Sequence, residues 1–136
     1  MFNRPHHQRI AKLLHAFNRP LLQEARCFFG GGTAIVLLLG EYRESLDIDF
    51  LYSSREGYRL LRNIVTQQGL GDLLWEPVLH RREVRADRDA IRTILEIDQQ
   101  PIKVEFFSES HLDIQGRLHP ILGVPILSKE DMYATK

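Results

Sequence analysis

The sequence holds one cysteine, Cys27. An internal disulfide is therefore excluded, and a reducing cytoplasm is the expected setting. Cys27 lies in an apolar run and reads as a buried, inert thiol rather than a nucleophile. Long apolar stretches are missing too. The longest unbroken one, Ala34 to Leu39, is far short of the ~20 residues that cross a bilayer, so no membrane span is expected. The first residues are charged and lack an apolar stretch, so no signal peptide is expected. Net charge is absent, with 18 basic residues against 18 acidic ones. That balance argues neither for nor against a nucleic-acid partner. Locally the charge is uneven. Residues 1–26 carry Arg4, Arg9, Lys12, Arg19 and Arg26 against Glu24 alone, and Arg81, Arg82, Arg85, Arg88 and Arg92 crowd residues 80–92. Either stretch can meet phosphate or form a solvated face. Repeats, low-complexity tracts and Ser/Pro-rich linkers are also missing, so residues 1–136 are expected to form a single domain.

Several chemistries are excluded by missing motifs. His6, His7, His15, His80, His111 and His119 show no zinc spacing and have no cysteine partners nearby. No G-x-S-x-G turn supplies a hydrolase nucleophile. The triplet Gly30-Gly31-Gly32 is no dinucleotide fingerprint, because Ile35 and Leu37 stand where a further glycine would fall. No Gly-Lys-Ser/Thr follows it, so it is no P-loop. Trp75, Tyr58 and Phe107 can stack on a base, but core packing is the expectation for them.

Periodicity sets out the elements. Ile10, Leu13, Leu14 and Phe17 recur at helical spacing and predict an amphipathic helix over 6–17, ending near Asn18-Arg19-Pro20. Arg26 to Phe29 predicts a short strand, the glycines a break, and Thr33 to Leu39 a buried helix closed by Gly40. Leu46 to Tyr52 alternates, with Leu46, Ile48 and Phe50 on one face and Asp47 and Asp49 on the other. Ser54 caps the next expected helix, whose stripe is Tyr58, Leu61, Ile64 and Val65 and whose end is set by Gly69 and Gly71. A strand is expected near Glu83 to Ala86. Two more, Ala90 to Ile97 and Ile102 to Phe107, are joined by the loop Asp98-Gln99-Gln100-Pro101, and a last one spans Val124 to Leu127. Ser128 and Asp131 mark a helix start. Helices packed on a short mixed sheet give an α+β or α/β core.

The chemistry concentrates in two places. Two carboxylates with period-two spacing, Asp47 and Asp49, fall about 7 Å apart on one strand face. Oxygen ligands of this kind suit Mg²⁺, with Mn²⁺ as an alternative, and such a pair can share metal ions about 3.5–4 Å apart. In Ile102-Lys103-Val104-Glu105-Phe106 the same alternation sets Glu105 opposite the apolar residues, which makes it the best third carboxylate. It can ligate a metal and help to deprotonate an acceptor hydroxyl; Glu96 and Asp98 are weaker candidates. Gly31 and Gly32 open the apolar helix, where free amides and the helix dipole favour phosphate and glycine lets it approach. Thr33 adds a hydroxyl donor. Arg43 and Ser45 precede the carboxylate strand and can either pair with a triphosphate or orient Asp47.

The order of strand, glycine pair, helix, carboxylate pair and later carboxylate resembles the DNA polymerase β-type nucleotidyltransferase superfamily. More closely, GGTAI at 31–35 and RESLDIDFL at 43–51 resemble the AbiEii-type nucleotidyltransferases, the toxins of type IV toxin–antitoxin systems; LSKEDMYATK at 127–136 is similar as well. The resemblance runs from about Phe28 to the end. It implies a polymerase β-like core, Mg²⁺-dependent transfer of a nucleotide from a nucleoside triphosphate to an acceptor hydroxyl, tRNA or another RNA as acceptor, and an antitoxin protein as partner. It matches Gly31, Gly32 and Thr33 to the phosphate-facing turn, Asp47 and Asp49 to the metal carboxylates, Glu105 to the third acidic position (where many members have Asp) and Lys136 to a nucleotide-binding lysine. It also implies a C-terminal helical region, which this chain is expected to lack. The alternatives are a small-molecule or protein nucleotidyltransferase and a catalytically inactive binding module.

Overall fold

In the computed structural model, residues 2–87, 90–109, 116–128 and 130–131 are described. The chain opens with helix α1 (Pro5–Ala16), where proline is tolerated because the first amides have no helical partner. Ile10, Leu13 and Leu14 are fully buried along its stripe. The helix stops where the sequence predicts, but Asn18-Arg19-Pro20 then starts a second one. Asn18 caps α2 (Arg19–Glu24) by accepting from the Leu21 amide. Strand β1 (Cys27–Gly30) and helix α3 (Gly31–Leu38) follow directly, and Gly40 at φ +83° ends the helix segment.

Strand β2 (Ile48–Tyr52) leads to α4 (Arg55–Ile64), capped by the Ser54 hydroxyl, which accepts from the Gly57 amide. This helix ends at Ile64, before Gly69, and a 3₁₀ turn follows at Gly71–Leu73. A Cβ at Gly57 would lie 2.1 Å from the Ala25 carbonyl oxygen, so only glycine lets α4 approach the end of α2. The short strands β3 (Leu79–His80) and β4 (Arg85–Ala86) precede the long hairpin β5 (Ala90–Ile97) and β6 (Gln100–Ser108). The hairpin turn is Asp98-Gln99 alone, at φ +51° and +67°, the left-handed pair that a two-residue turn requires. Gln100 and Pro101, expected in the loop, are in the ladder instead. Strands β7 (Gly116–Leu118) and β8 (Pro125–Leu127) complete the described elements, and the Ser128 hydroxyl accepts from the Asp131 amide as the cap expected there.

The strands form one mixed sheet in the order β3-β5-β6-β2-β1-β8-β7, with β4 also on β5. Strand β2 runs antiparallel to β1 and parallel to β6. The arrangement of helices on this sheet is the expected α/β class. Phe50 and Phe106 stack at 5.0 Å between ring centroids, and Phe17 meets both edge-on from the end of α1. Tyr58 of α4 stacks on Tyr52. The helices therefore cover the sheet face that carries Phe50 and Tyr52, and alternation turns Asp49 and Glu105 to the other. Cys27 is fully buried and free, and burial pushes its thiol pKa well up, as an inert thiol requires. No helix among the described residues is long and apolar enough to cross a membrane.

Candidate active site

The site is assembled on one rung of the sheet. Gly30 of β1 lies opposite Asp49 of β2, and Asp49 lies opposite Glu105 of β6. Partners in register share a face. The β1–α3 junction and two carboxylates thus meet across three adjacent strands. Gly31 makes the junction possible for two reasons. Its φ is +73°, and a Cβ there would stand 2.8 Å from Asp49 Oδ2. No side chain caps the start of α3, so its first amides face outward without an intrahelical partner. Arg43 lies over the same turn, its guanidinium 3.1 Å from where a Cβ on Gly32 would be.

Asp47 and Asp49 are half-buried, and no cation pairs with either among the described residues. Burial raises the Asp49 pKa to about 6, the Glu105 and Asp47 charges add to the rise, and Lys103 opposes it. Glu105 is in a different state. It is buried, with Oε2 accepting from Arg92 Nε at 2.8 Å and Oε1 lying 2.9 Å from Lys103 Nζ. Arg92 also pairs with Asp87 at 3.0 Å. The hydrogen bond to Glu105 is the main cause of a raised pKa at both Arg92 and Lys103. The weaker carboxylate candidates are occupied elsewhere: Glu96 pairs with Arg81 and Asp98 with Lys12.

The donor set is carboxylate oxygen only, the chemistry that Mg²⁺ takes, and a cation would relieve both the burial of the Asp49 charge and its repulsion by Glu105 and Asp47. Even so, no three carboxylate, imidazole or thiol groups gather tightly enough to hold an ion among the described residues. The two cations at Glu105 give the physical reason, since both of its oxygens are turned to them. The fit is therefore to the Asp47–Asp49 pair first, with Glu105 beside it in register.

Thr33 and Ser45 meet each other. Their hydroxyls are 2.6 Å apart and buried, so they tie α3 to the loop before β2. Leu46 was expected on one face with Ile48 and Phe50, which are buried, but is 57% exposed. The strand starts only at Ile48, so the alternation does not extend back to it. Of the aromatic candidates, Trp75 is exposed rather than packed, and Phe107 is half-buried with the Arg92 guanidinium 5.9 Å above its ring. Lys136 lies outside the described residues.

Sequence reasoning weighed His6 and His7 only as metal ligands and missed what they hold. His7 is wholly buried. Its Nε2 accepts the Ser45 amide at 2.9 Å, so its proton is on Nδ1 and is donated to Glu41 Oε1, also at 2.9 Å. Glu41 accepts from the Asn3 and Arg4 amides as well, and the Asn3 bond is the main cause of its lowered pKa. His6 Nε2 meets the Leu46 carbonyl at 3.0 Å. The start of α1 thus clamps the 41–46 loop at its beginning and its end. The available signal was a histidine pair on the first turn of an amphipathic helix, one of the pair on the apolar side.

Comparison with known proteins follows the same lines. The family model described as "Nucleotidyl transferase AbiEii toxin, Type IV TA system" matches residues 12–136. No curated protein matches the chain. Two crystal structures share the fold. The "putative nucleotidyltransferase from H. pylori" gives a TM-score of 0.54 at 15% identity, over 95% of this chain and 55% of that one. JHP933 from Helicobacter pylori gives a TM-score of 0.54 at 13% identity, over 99% and 57%. The chain thus spans little more than half the length of either.

Proposed function

The chain belongs to the AbiEii nucleotidyl transferase toxin family, and we propose that it is a divalent-metal-dependent enzyme that moves a nucleotide from a nucleoside triphosphate to an acceptor hydroxyl. The observation that supports this most is the rung itself: Gly30 at the start of α3, Asp49 and Glu105 in register on one face. Asp47 and Asp49 would hold Mg²⁺ or Mn²⁺, with Glu105 as third carboxylate. A bound metal would neutralise phosphate charge and align the reacting groups.

The residues of the chain do the rest. The amides of Gly31 and Gly32 seat the triphosphate, and Arg43 lies over that turn within reach of its charge. Thr33 and Ser45 act by keeping turn and loop together. The acceptor oxygen attacks the α-phosphorus, the bond to the bridging oxygen of the β-phosphate breaks, and pyrophosphate leaves. Glu105, paired with Arg92 and Lys103, would take the acceptor's proton only on releasing one of these cations. The acceptor is RNA, with tRNA first, and an antitoxin protein is the regulatory partner in the cytoplasm. Residues 1–136 act as one nucleotidyltransferase domain, to which Lys136 and a C-terminal helical region would add nucleotide and acceptor contacts. An acceptor that is a small molecule or a protein is the second reading, and loss of catalysis the third.

Incubation with labelled nucleoside triphosphates, Mg²⁺ or Mn²⁺ and total RNA tests this. Wild type is expected to label RNA and Asp47→Ala/Asp49→Ala to leave it unlabelled. Equal labelling by the two would overturn the carboxylate assignment. Label in protein or small molecules would move the acceptor to the second reading.

A further inference from the structure

A cavity of about 480 Å³ adjoins the rung on the Asp47 side. Asp47 and Lys103, two residues before Asp49 and Glu105, line it, together with Arg9, Leu46, Ile94 and Pro101. We propose that this cavity takes the nucleoside of the donor triphosphate and that Arg9 reads acceptor atoms on the edge of its base. The proposal rests on the nucleotidyltransferase reading and fixes where that site holds the part of the nucleotide that sets its identity.

Three observations carry it. The first is direction. In phosphoryl transfer the attacking and leaving oxygens lie roughly in line through the phosphorus. Along the rung that line runs from the Gly31 turn, which takes the pyrophosphate, across Asp49 to Glu105. The nucleoside is bonded through a different oxygen and must leave the line sideways, along the strands. One of the two sideways directions is filled: Leu51, two residues after Asp49, is buried, and it and Leu127 crowd the position of a Cβ on Gly30. The other leads, after one strand period of about 7 Å, to Asp47, Lys103 and the cavity. Lys103 joins the two spaces, since it lines the cavity while its Nζ stands 2.9 Å from Glu105 Oε1.

The second observation is the lining. Small-molecule sites run from roughly 300 to 1,000 Å³ and combine apolar walls with a few placed polar groups. Leu46 is 57% exposed here, and Ile94 and Pro101 add apolar surface, so a flat base has something to lie against. The third is the way Arg9 is held. His6 Nε2 donates to the Leu46 carbonyl at 3.0 Å, which leaves Nδ1 to accept from Arg9 Nε at 3.3 Å. One buried imidazole therefore fixes both the apolar wall and the guanidinium. Arg9 has no carboxylate partner among the described residues, and a guanidinium donates to the carbonyl oxygens and ring nitrogens of a base edge. His6 and Arg9 both precede residues 12–136, so this part of the pocket belongs to this chain and not to the family pattern.

The test is equilibrium binding, with Mg²⁺ and no acceptor, of each of the four nucleoside triphosphates and of inorganic triphosphate, which has no nucleoside. Wild type is expected to bind at least one nucleoside triphosphate more tightly than inorganic triphosphate. Arg9→Ala is expected to weaken that nucleotide about tenfold, the loss of a charged hydrogen bond, and to narrow the spread among the four bases while leaving inorganic triphosphate unchanged. Leu46→Ala, at an exposed position where folding is not at risk, is expected to weaken the nucleotide about threefold and inorganic triphosphate not at all. Leu39→Ala, an exposed leucine outside the cavity, is expected to change neither. Gly31→Ala, in the phosphate turn, is expected to weaken both ligands alike. Equal losses of nucleotide and inorganic triphosphate in Arg9→Ala would make Arg9 a phosphate contact and overturn the pocket. Unchanged nucleotide binding in both Arg9→Ala and Leu46→Ala overturns it too. Wild type that binds inorganic triphosphate as tightly as every nucleotide overturns the pocket and leaves the transferase reading standing, whereas wild type that binds neither overturns both.

Discussion

The rung from Gly30 runs past Glu105 to Arg92 of β5 and Arg85 of β4; its inner half is acidic, its outer half is basic, and the fold holds them differently. In the inner half, Asp49 is half-buried beside like charges, and its pKa is raised to about 6. In the outer half, Arg85 and Arg92 are exposed, and water screens their charge. The inner half joins strands far apart in the chain: β1 and β2 are linked through α3, and β2 pairs with β6 more than fifty residues further on. The outer half depends on a hairpin and a two-residue strand. Screening is weak where side chains are buried and strong where they are exposed. Changes in the inner half should therefore alter chemistry by orders of magnitude, and changes in the outer half should act in smaller, salt-dependent steps.

The largest contrast is expected from Asp49→Asn. Loss of one metal carboxylate removes several kcal/mol of transition-state stabilisation, so transfer should fall about 10³-fold. The same variant should be more stable than wild type, because the neutral amide carries neither the burial cost of the charge nor the like-charge repulsion. Urea midpoints beside transfer rates check both signs, and a variant that loses stability along with activity would remove the case for strain at Asp49. A smaller effect, about 10²-fold on transfer, is expected from Gly31→Ala. Alanine is strained at φ +73°, and its methyl would press on Asp49 Oδ2. Stability should fall by about 1–2 kcal/mol. A wild-type rate for this variant would show that Asp49 need not stay where the structure has it.

These inner features were legible because their signals are local. Glycines before an apolar helix and acids at period two report a turn and a strand face without knowledge of partners. Alternation over 102–106 likewise exposed Glu105. Register was harder. A four-residue loop at Asp98–Pro101 would pair Arg92 with Phe107, whereas the two-residue turn pairs it with Glu105. The ion pairs that occupy Glu105 were hidden for that reason. Strands β3 and β7 are too short to show a period. Helix α2 was concealed because Asn and Pro end one helix and start another with the same letters. The histidine clamp is a contact between residues more than thirty apart, which no spacing rule reports.

That clamp supplies the next step down in size. His7→Ala leaves the buried Ser45 amide without its acceptor, at a cost of about 1–3 kcal/mol, and removes one of the donors to Glu41, which keeps the Asn3 and Arg4 amides. If the clamp positions the loop before Asp47, the transfer rate at saturating nucleotide should fall about tenfold while the nucleotide KM changes little. Lower stability with an unchanged rate would make the clamp structural only. Residues 5–11 precede the family match, so the outcome also decides whether the site depends on residues outside it.

The smallest effect lies in the pH dependence of stability, measured in EDTA to keep metal out. The Asp49 pKa is about 6 in the folded chain against an ordinary 3.8. Between those values the folded state binds more protons than the unfolded one, so stability falls as pH rises from about 4 to about 6 and then levels. The full shift corresponds to about 3 kcal/mol, and partial exposure of the carboxylate reduces this to roughly 1 kcal/mol. Subtracting the curve of Asp49→Asn from that of wild type isolates the fall. Mg²⁺ should cancel it only above pH ~6, where the carboxylate is ionised and free to bind. A difference curve that is flat from pH 4 to 7 would mean that Asp49 is already compensated, and the inner half of the rung would then be no more poised for charge than the outer.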